Sequence, residues 1–192
     1  MLYIIIIVIS IIIGLLRGGE LERLANISVE GVLLFAIALL LRLGVWALGL
    51  MGFTGILSYS PYLIIFSYVL LVFVSIRNIK LPSFRYIILG LLLNAFVIVV
   101  NGGRMPVLVK EGVIENISPT SFLEAETRVV HSLMNNNTLF AFLGDVISIP
   151  KPFPDNSIIS VGDIMIFVGL FVLIQKTMMR EDKLPQEDEG IE

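Results

Sequence analysis

The chain has no cysteine, a single histidine and little charge: only 15% of its 192 residues are Asp, Glu, Lys or Arg, against 57% hydrophobic. Without Cys there is no disulfide, no thiol nucleophile and no thiolate metal site, and the redox compartment is left open. One imidazole, His131, allows neither an HExxH motif nor a pair of His ligands, so no transition-metal centre and no cofactor is expected. No GxSxG surrounds any serine, and Arg128 beside His131 favours a neutral imidazole, so no acid, base and nucleophile set marks an enzyme. Low charge also excludes an ordinary soluble core, since soluble chains are about a quarter charged. The formal net charge of −3 arises largely in the tail Arg180 to Glu192. With no basic face, a nucleic-acid partner is not expected.

What the chain has instead is long apolar runs. A membrane-crossing helix needs about 20 mostly apolar residues, and five segments approach that length: 2–17, 29–50, 60–77, 84–101 and 158–176. Many of their residues are β-branched, which in water argues for strands. In lipid the backbone must satisfy its own hydrogen bonds, so such runs read as helices, and "IIIIVISIII" lacks the alternation of a barrel strand. The first run lacks the basic start of a signal peptide and is followed by "RGGELER" in place of a small-residue cleavage site, so it reads as a retained helix.

Orientation follows from the basic residues of the connections. Arg17 and Arg23 follow the first run, Arg77, Lys80 and Arg85 flank the gap after the third, and Lys176, Arg180 and Lys183 follow the fifth, whereas the turn Met51 to Pro61 carries no charge. The N-terminus and the segment 102–157 are therefore expected outside, and the C-terminus in the cytoplasm. The expected fold is an all-α integral membrane protein. A single membrane domain over residues 1–178 forms a bundle of about five transmembrane helices, and 179–192 is an acidic, disordered tail. Between the fourth and fifth spans, Ser118 to Asn136 reads as an outer amphipathic helix, with Ser118 or Thr120 as N-cap, Pro119 in the first turn and Glu124 and Glu126 early. It would lie on the membrane surface or across the mouth of the bundle.

Three stretches carry a resemblance. "LPSFRYIILGLLLNAFVIVVNGGRMPV" (Leu81 to Val107), "LGDVISIP" (Leu143 to Pro150) and "ISVGDIMIFVGLF" (Ile159 to Phe171) together resemble the bacterial membrane family called domain of unknown function 5317. The resemblance implies a small multi-pass bacterial membrane protein with the Asn-Gly-Gly-Arg-Met-Pro turn as a shared mark. It implies no activity.

Polar residues inside apolar runs are the candidates for function. Arg42 lies roughly 12 Å below the outer end of the second run, and inserting it costs about 2.5 to 3.5 kcal/mol, which its Leu, Ile, Phe and Val neighbours offset. Asp163, Asn94 and Tyr68 fall at similar depth. The expectation is that Arg42 pairs with Asp163, with Asn94 and Tyr68 completing the hydrogen bonds. That layer is either a structural clasp between helices or a pocket for a ligand or ion. In "NGGRMP", Asn101, Gly102 and Gly103 supply a left-handed helix cap and Pro106 stops the helix. Arg104 and the glycine N–H groups can also present a positive rim to a lipid phosphate. His131 and Asp145 are weaker candidates, and the likeness of Gly144-Asp145 to Gly162-Asp163 reads as chance. With lipid as the general partner, the expected role is a non-enzymatic accessory or scaffold subunit that meets another membrane protein or a lipid headgroup. The alternative is binding or transport of a small molecule, ion or lipid headgroup through an outer polar pocket.

Overall fold

The structure, a computed structural model, describes residues 2–53, 55–109, 130–149 and 158–179. It is mostly helical. The helices are α1 (Leu2–Leu16), the single turn α2 (Glu22–Ala25), α3 (Val32–Leu50), α4 (Ile56–Arg77), α5 (Phe84–Val100) and α6 (Val161–Met178). Three of them, α3, α4 and α6, are long and apolar enough to cross a membrane, and α1 and α5 are shorter apolar helices. Large apolar side chains such as Leu33, Leu40, Tyr62 and Val69 are more than half exposed. An apolar exterior of this extent requires an apolar surrounding.

Neighbouring helices pack in the order α3, α4, α5, α6, α1. The core lies around α4 and α5, with Ile64, Tyr68, Leu91, Val97 and Ile98 buried. The closest approach is between α5 and α6, where a Cβ on Gly90 would run into the Gly162 carbonyl and one on Gly169 would meet Ile87. Small residues let two backbones touch where lipid supplies no hydrophobic drive between helices.

The segment after α5 leaves from what is here termed the upper end of the bundle, which also holds the start of α1, α4 and α6. Four short strands form there: β1 (Met105–Val107), β2 (His131–Leu133), β3 (Ile147–Ser148) and β4 (Ile158–Ile159). The strand β1 pairs in parallel with β2, and β3 pairs antiparallel with β4. On its other side β1 meets residue 145, where Asp145 N–H donates to the Pro106 carbonyl at 2.9 Å and Leu108 N–H to the Asp145 carbonyl at 2.8 Å.

The all-α expectation is corrected by these strands. Outside an apolar run, backbone groups can pair between segments, and the buried β1 offers two edges. The expected helix over 118–136 is corrected at its end, where His131–Leu133 is a strand and Asn135 opens an Asx turn to Asn137 N–H at 2.8 Å; residues 118–129 lie outside the described residues, as does the tail from 180. Helix α4 begins at Ile56, so most of the expected turn Met51 to Pro61 is helical with Pro61 inside it. Conversely, Ile158–Ile159 is a strand rather than the start of the last helix. There Ser160 caps α6 in a capping box, its Oγ accepting from Asp163 N–H at 2.9 Å while Asp163 Oδ2 accepts from Ser160 N–H at 3.2 Å.

A polar cavity at the upper end

Asp163 is the third residue of α6, so it sits in the first turn, with its carboxylate shared among three elements. Oδ1 accepts from Tyr3 Oη of α1 at 2.9 Å and from Asn94 Nδ2 of α5 at 3.0 Å. Asn94 Oδ1 in turn accepts from Ser160 Oγ at 2.8 Å. Asn94 and Ser160 are buried, and a Cβ on Gly162 would strike the Asn94 amide. Buried polar groups are stable when each has its partner, and this network joins α1, α5 and α6 as a clasp.

Arg42 does not belong to the clasp. Its guanidinium lies over the Tyr68 ring, 4.8 Å from the centroid. The ion pairs among the described residues are Glu20 with Arg23 and Glu30 with Arg77, and His131 approaches Asp145. The expected Arg42–Asp163 ion pair is therefore replaced by stacking on an aromatic face, which a guanidinium favours, while Asp163 accepts from Tyr3, Asn94 and Ser160.

Between the clasp and the stacked arginine lies a cavity of about 240 Å³ lined by Leu2, Tyr3, Arg42, Tyr68, Asn94, Ile98, Met105, Val130, His131, Asp145, Ile158, Ile159, Asp163 and Phe167. His131 and Asp145 come from opposite sides of β1, with Nε2 3.6 Å from Oδ2. Burial, and to a lesser extent the Arg42 charge, lowers the His131 pKa to about 4, against a smaller opposing effect of Asp163. Burial, with a further push from the Asp163 charge, raises the Asp145 pKa to about 8. At neutral pH this contact is therefore between two uncharged groups, not an ion pair. Among the described residues no three His, Asp or Glu side chains gather as metal ligands.

Six of the residues singled out from the sequence thus meet at one cavity: Arg42, Tyr68, Asn94, His131, Asp145 and Asp163. The "NGGR" residues lie outside its lining. Asn101 clamps the chain at Leu139, accepting from its N–H at 2.9 Å and donating to its carbonyl at 2.9 Å. Gly102 and Gly103 have φ of 76° and 83°. Gly103 N–H donates to Ile98 O at 2.8 Å and Gly102 N–H to Val99 O at 3.3 Å, the paired bonds of a Schellman cap. The second glycine has a packing reason too, since a Cβ on Gly103 would collide with Pro61 of α4. Arg104 is half-buried just beyond it. Tyr3 and Ser160 escaped the sequence reading. Ser160 was recoverable, because Ser-x-x-Asp before an apolar run is a capping signature, whereas Tyr3 in a run of isoleucines carries no such signal.

By class, this is a mostly helical protein whose three long apolar helices are those of a membrane protein. The chain belongs to the family of unknown function DUF5317, which it matches over residues 26–175. It is similar to an uncharacterised protein of Thermotoga maritima, 28% identical over 183 residues that cover 93% of this chain and 95% of the relative. No solved structure matches the chain.

Proposed function

We propose that the protein crosses a bacterial cell membrane five times, with its N-terminus outside and its C-terminus in the cytoplasm. In this reading it is a binding protein, with the upper cavity facing outward and taking a small polar molecule or ion. Five crossings rest on the apolar length of α3, α4 and α6, with α1 and α5 completing their spans through flanking residues, and on the alternation of basic connections. The observation that carries the binding reading is the cavity itself. Polar side chains from α1, α3, α4, α5, α6 and the 131–145 region converge on it, and ionisable groups inside a membrane bundle are expensive unless they have a task. The three stretches that carry the family resemblance supply half of its lining, from Asn94 to Met105, at Asp145 and from Ile159 to Phe167. The accessory-subunit reading has no comparable positive feature.

Native mass spectrometry of gently extracted protein tests this. A bound small molecule that is lost on Arg42→Gln supports the binding reading. A co-purifying protein partner with an empty cavity supports an accessory subunit instead. For topology, Cys placed at Arg104 should react with an impermeant maleimide on intact cells and Cys placed at Lys183 should not.

A further inference from the structure

This inference rests on the binding reading and specifies what binds. Two groups on the cavity wall are left over once its internal bonds are assigned. One is the Arg42 guanidinium, which is stacked on Tyr68 and has no carboxylate in direct contact among the described residues. The other is Asp145, only 5% exposed, whose Oδ1 is buried without a hydrogen-bond partner. The Asp145 backbone is tied on both sides, N–H to Pro106 and carbonyl to Leu108, and the adjoining Gly144 leaves no room for a Cβ beside the Pro106 carbonyl, 2.6 Å from that position. Asp163, by contrast, accepts three hydrogen bonds inside the clasp.

A guanidinium edge matches a two-oxygen anion, and an unpartnered carboxyl oxygen calls for a hydrogen-bond donor. We infer that the cavity is a site for a small organic acid that also carries a donor, an amino acid or hydroxy acid, its carboxylate on Arg42 and its amino or hydroxyl group on Asp145. The size suits a small molecule: a cavity of roughly 150 Å³ takes benzene, so about 240 Å³ holds about ten non-hydrogen atoms. Because burial holds the Asp145 carboxyl protonated at neutral pH, an incoming ammonium stabilises its carboxylate and sends the proton to the buffer. A hydroxy acid leaves the proton in place.

The test uses the purified full-length protein in mild detergent, titrated calorimetrically with a panel of amino and hydroxy acids of up to about ten non-hydrogen atoms, from glycine and lactate to γ-aminobutyrate. Acetate and ethylamine serve as controls that carry one group each. At least one acid is expected to bind about tenfold or more tightly than either control, and Arg42→Gln and Asp145→Asn are each expected to weaken it about tenfold or more. Arg77→Gln, at the opposite end, should leave it unchanged. Should Asp145→Asn fail to fold, the unaltered protein still decides: an amino acid binding at pH 7 should release a proton, seen as a buffer-dependent heat, and the release should shrink as the pH is raised toward the Asp145 pKa of about 8. Acetate binding as well as the best acid, or folded Asp145→Asn binding normally, overturns the two-point recognition. A co-purified lipid with no acid bound overturns the ligand class and leaves the binding reading standing. If neither acid nor lipid binds, both fall.

Discussion

The two ends of the helical bundle treat polar groups in opposite ways. At the lower end the polar groups find partners at once. Arg77 donates to Glu30 at 3.0 and 3.1 Å, and the Asn78 side chain brackets the Glu30 backbone with two bonds of 2.9 Å. Arg17 donates to Gln175 at 2.9 Å, whose amide donates to the Ser10 carbonyl. At the upper end the clasp of Tyr3, Asn94, Ser160 and Asp163 is just as complete, yet Arg42 and Asp145 stand beside it around a void. The lower pattern is what helix joining requires; the upper one contains more polarity than joining requires.

That contrast can be broken most severely at the α5–α6 contact. Gly90→Val drives a branched side chain into the Gly162 carbonyl and Ile166, and overpacking of this kind costs about 3 kcal/mol or more against backbone. Loss of the monodisperse peak on detergent size exclusion is the expected readout, whereas Gly44→Ala, with open space around it, should be silent. Next, Asn94→Ala strips both Ser160 and Asp163 of a partner and should lower unfolding stability in micelles by about 2 to 3 kcal/mol.

The pH dependence sharpens the comparison, because among the described residues the shifted groups lie at the upper end. Asp145 has a folded pKa of about 8, above its unfolded 3.8, so its contribution is lost as pH rises through that interval. His131 has a folded pKa of about 4, below its unfolded 6.5, so its contribution is lost as pH falls through that one. Between about 4 and 6.5 the two slopes oppose each other, and from 6.5 to 8 only Asp145 acts. Stability should therefore fall over this upper interval by on the order of 1 kcal/mol per pH unit, and Asp145→Asn should flatten the decline. A rising or level curve in the unaltered protein would count against a buried, protonated Asp145.

Arg42→Leu should change stability by less than about 1 kcal/mol, since the lost stacking on Tyr68 is offset by better insertion, while ligand retention disappears. A large destabilisation would return Arg42 to the clasp. The smallest effect belongs to the lower end: Arg77→Ala removes a pair whose side chains are 51% and 62% exposed, and exposed pairs contribute under about 1 kcal/mol.

Much of this is legible in the residues. Arg42, Asn94 and Asp163 stand out because each interrupts an apolar run, and the glycines of "NGGR" announce a left-handed cap. The accompanying expectation that Arg42 pairs with Asp163 depends on helix rotation, and the capping box at Ser160 instead turns that carboxylate toward the start of its own helix. His131 and Asp145 were visible one by one. Their meeting was not, since it depends on strands of two or three residues, too short to show a periodicity. The same short strands pair "LGDVISIP" with "ISVGD", and Asp145 and Asp163 both line the one cavity.

The sequence by itself determined the helical, lipid-suited class. That inference is local: each apolar run must close its own backbone hydrogen bonds in a medium without water. Only the tertiary structure decided which polar group meets which. Asn94 reaches Asp163 across 69 positions and Tyr3 reaches it across 160. Such contacts are set by how helices rotate and pack against one another, which no single run encodes.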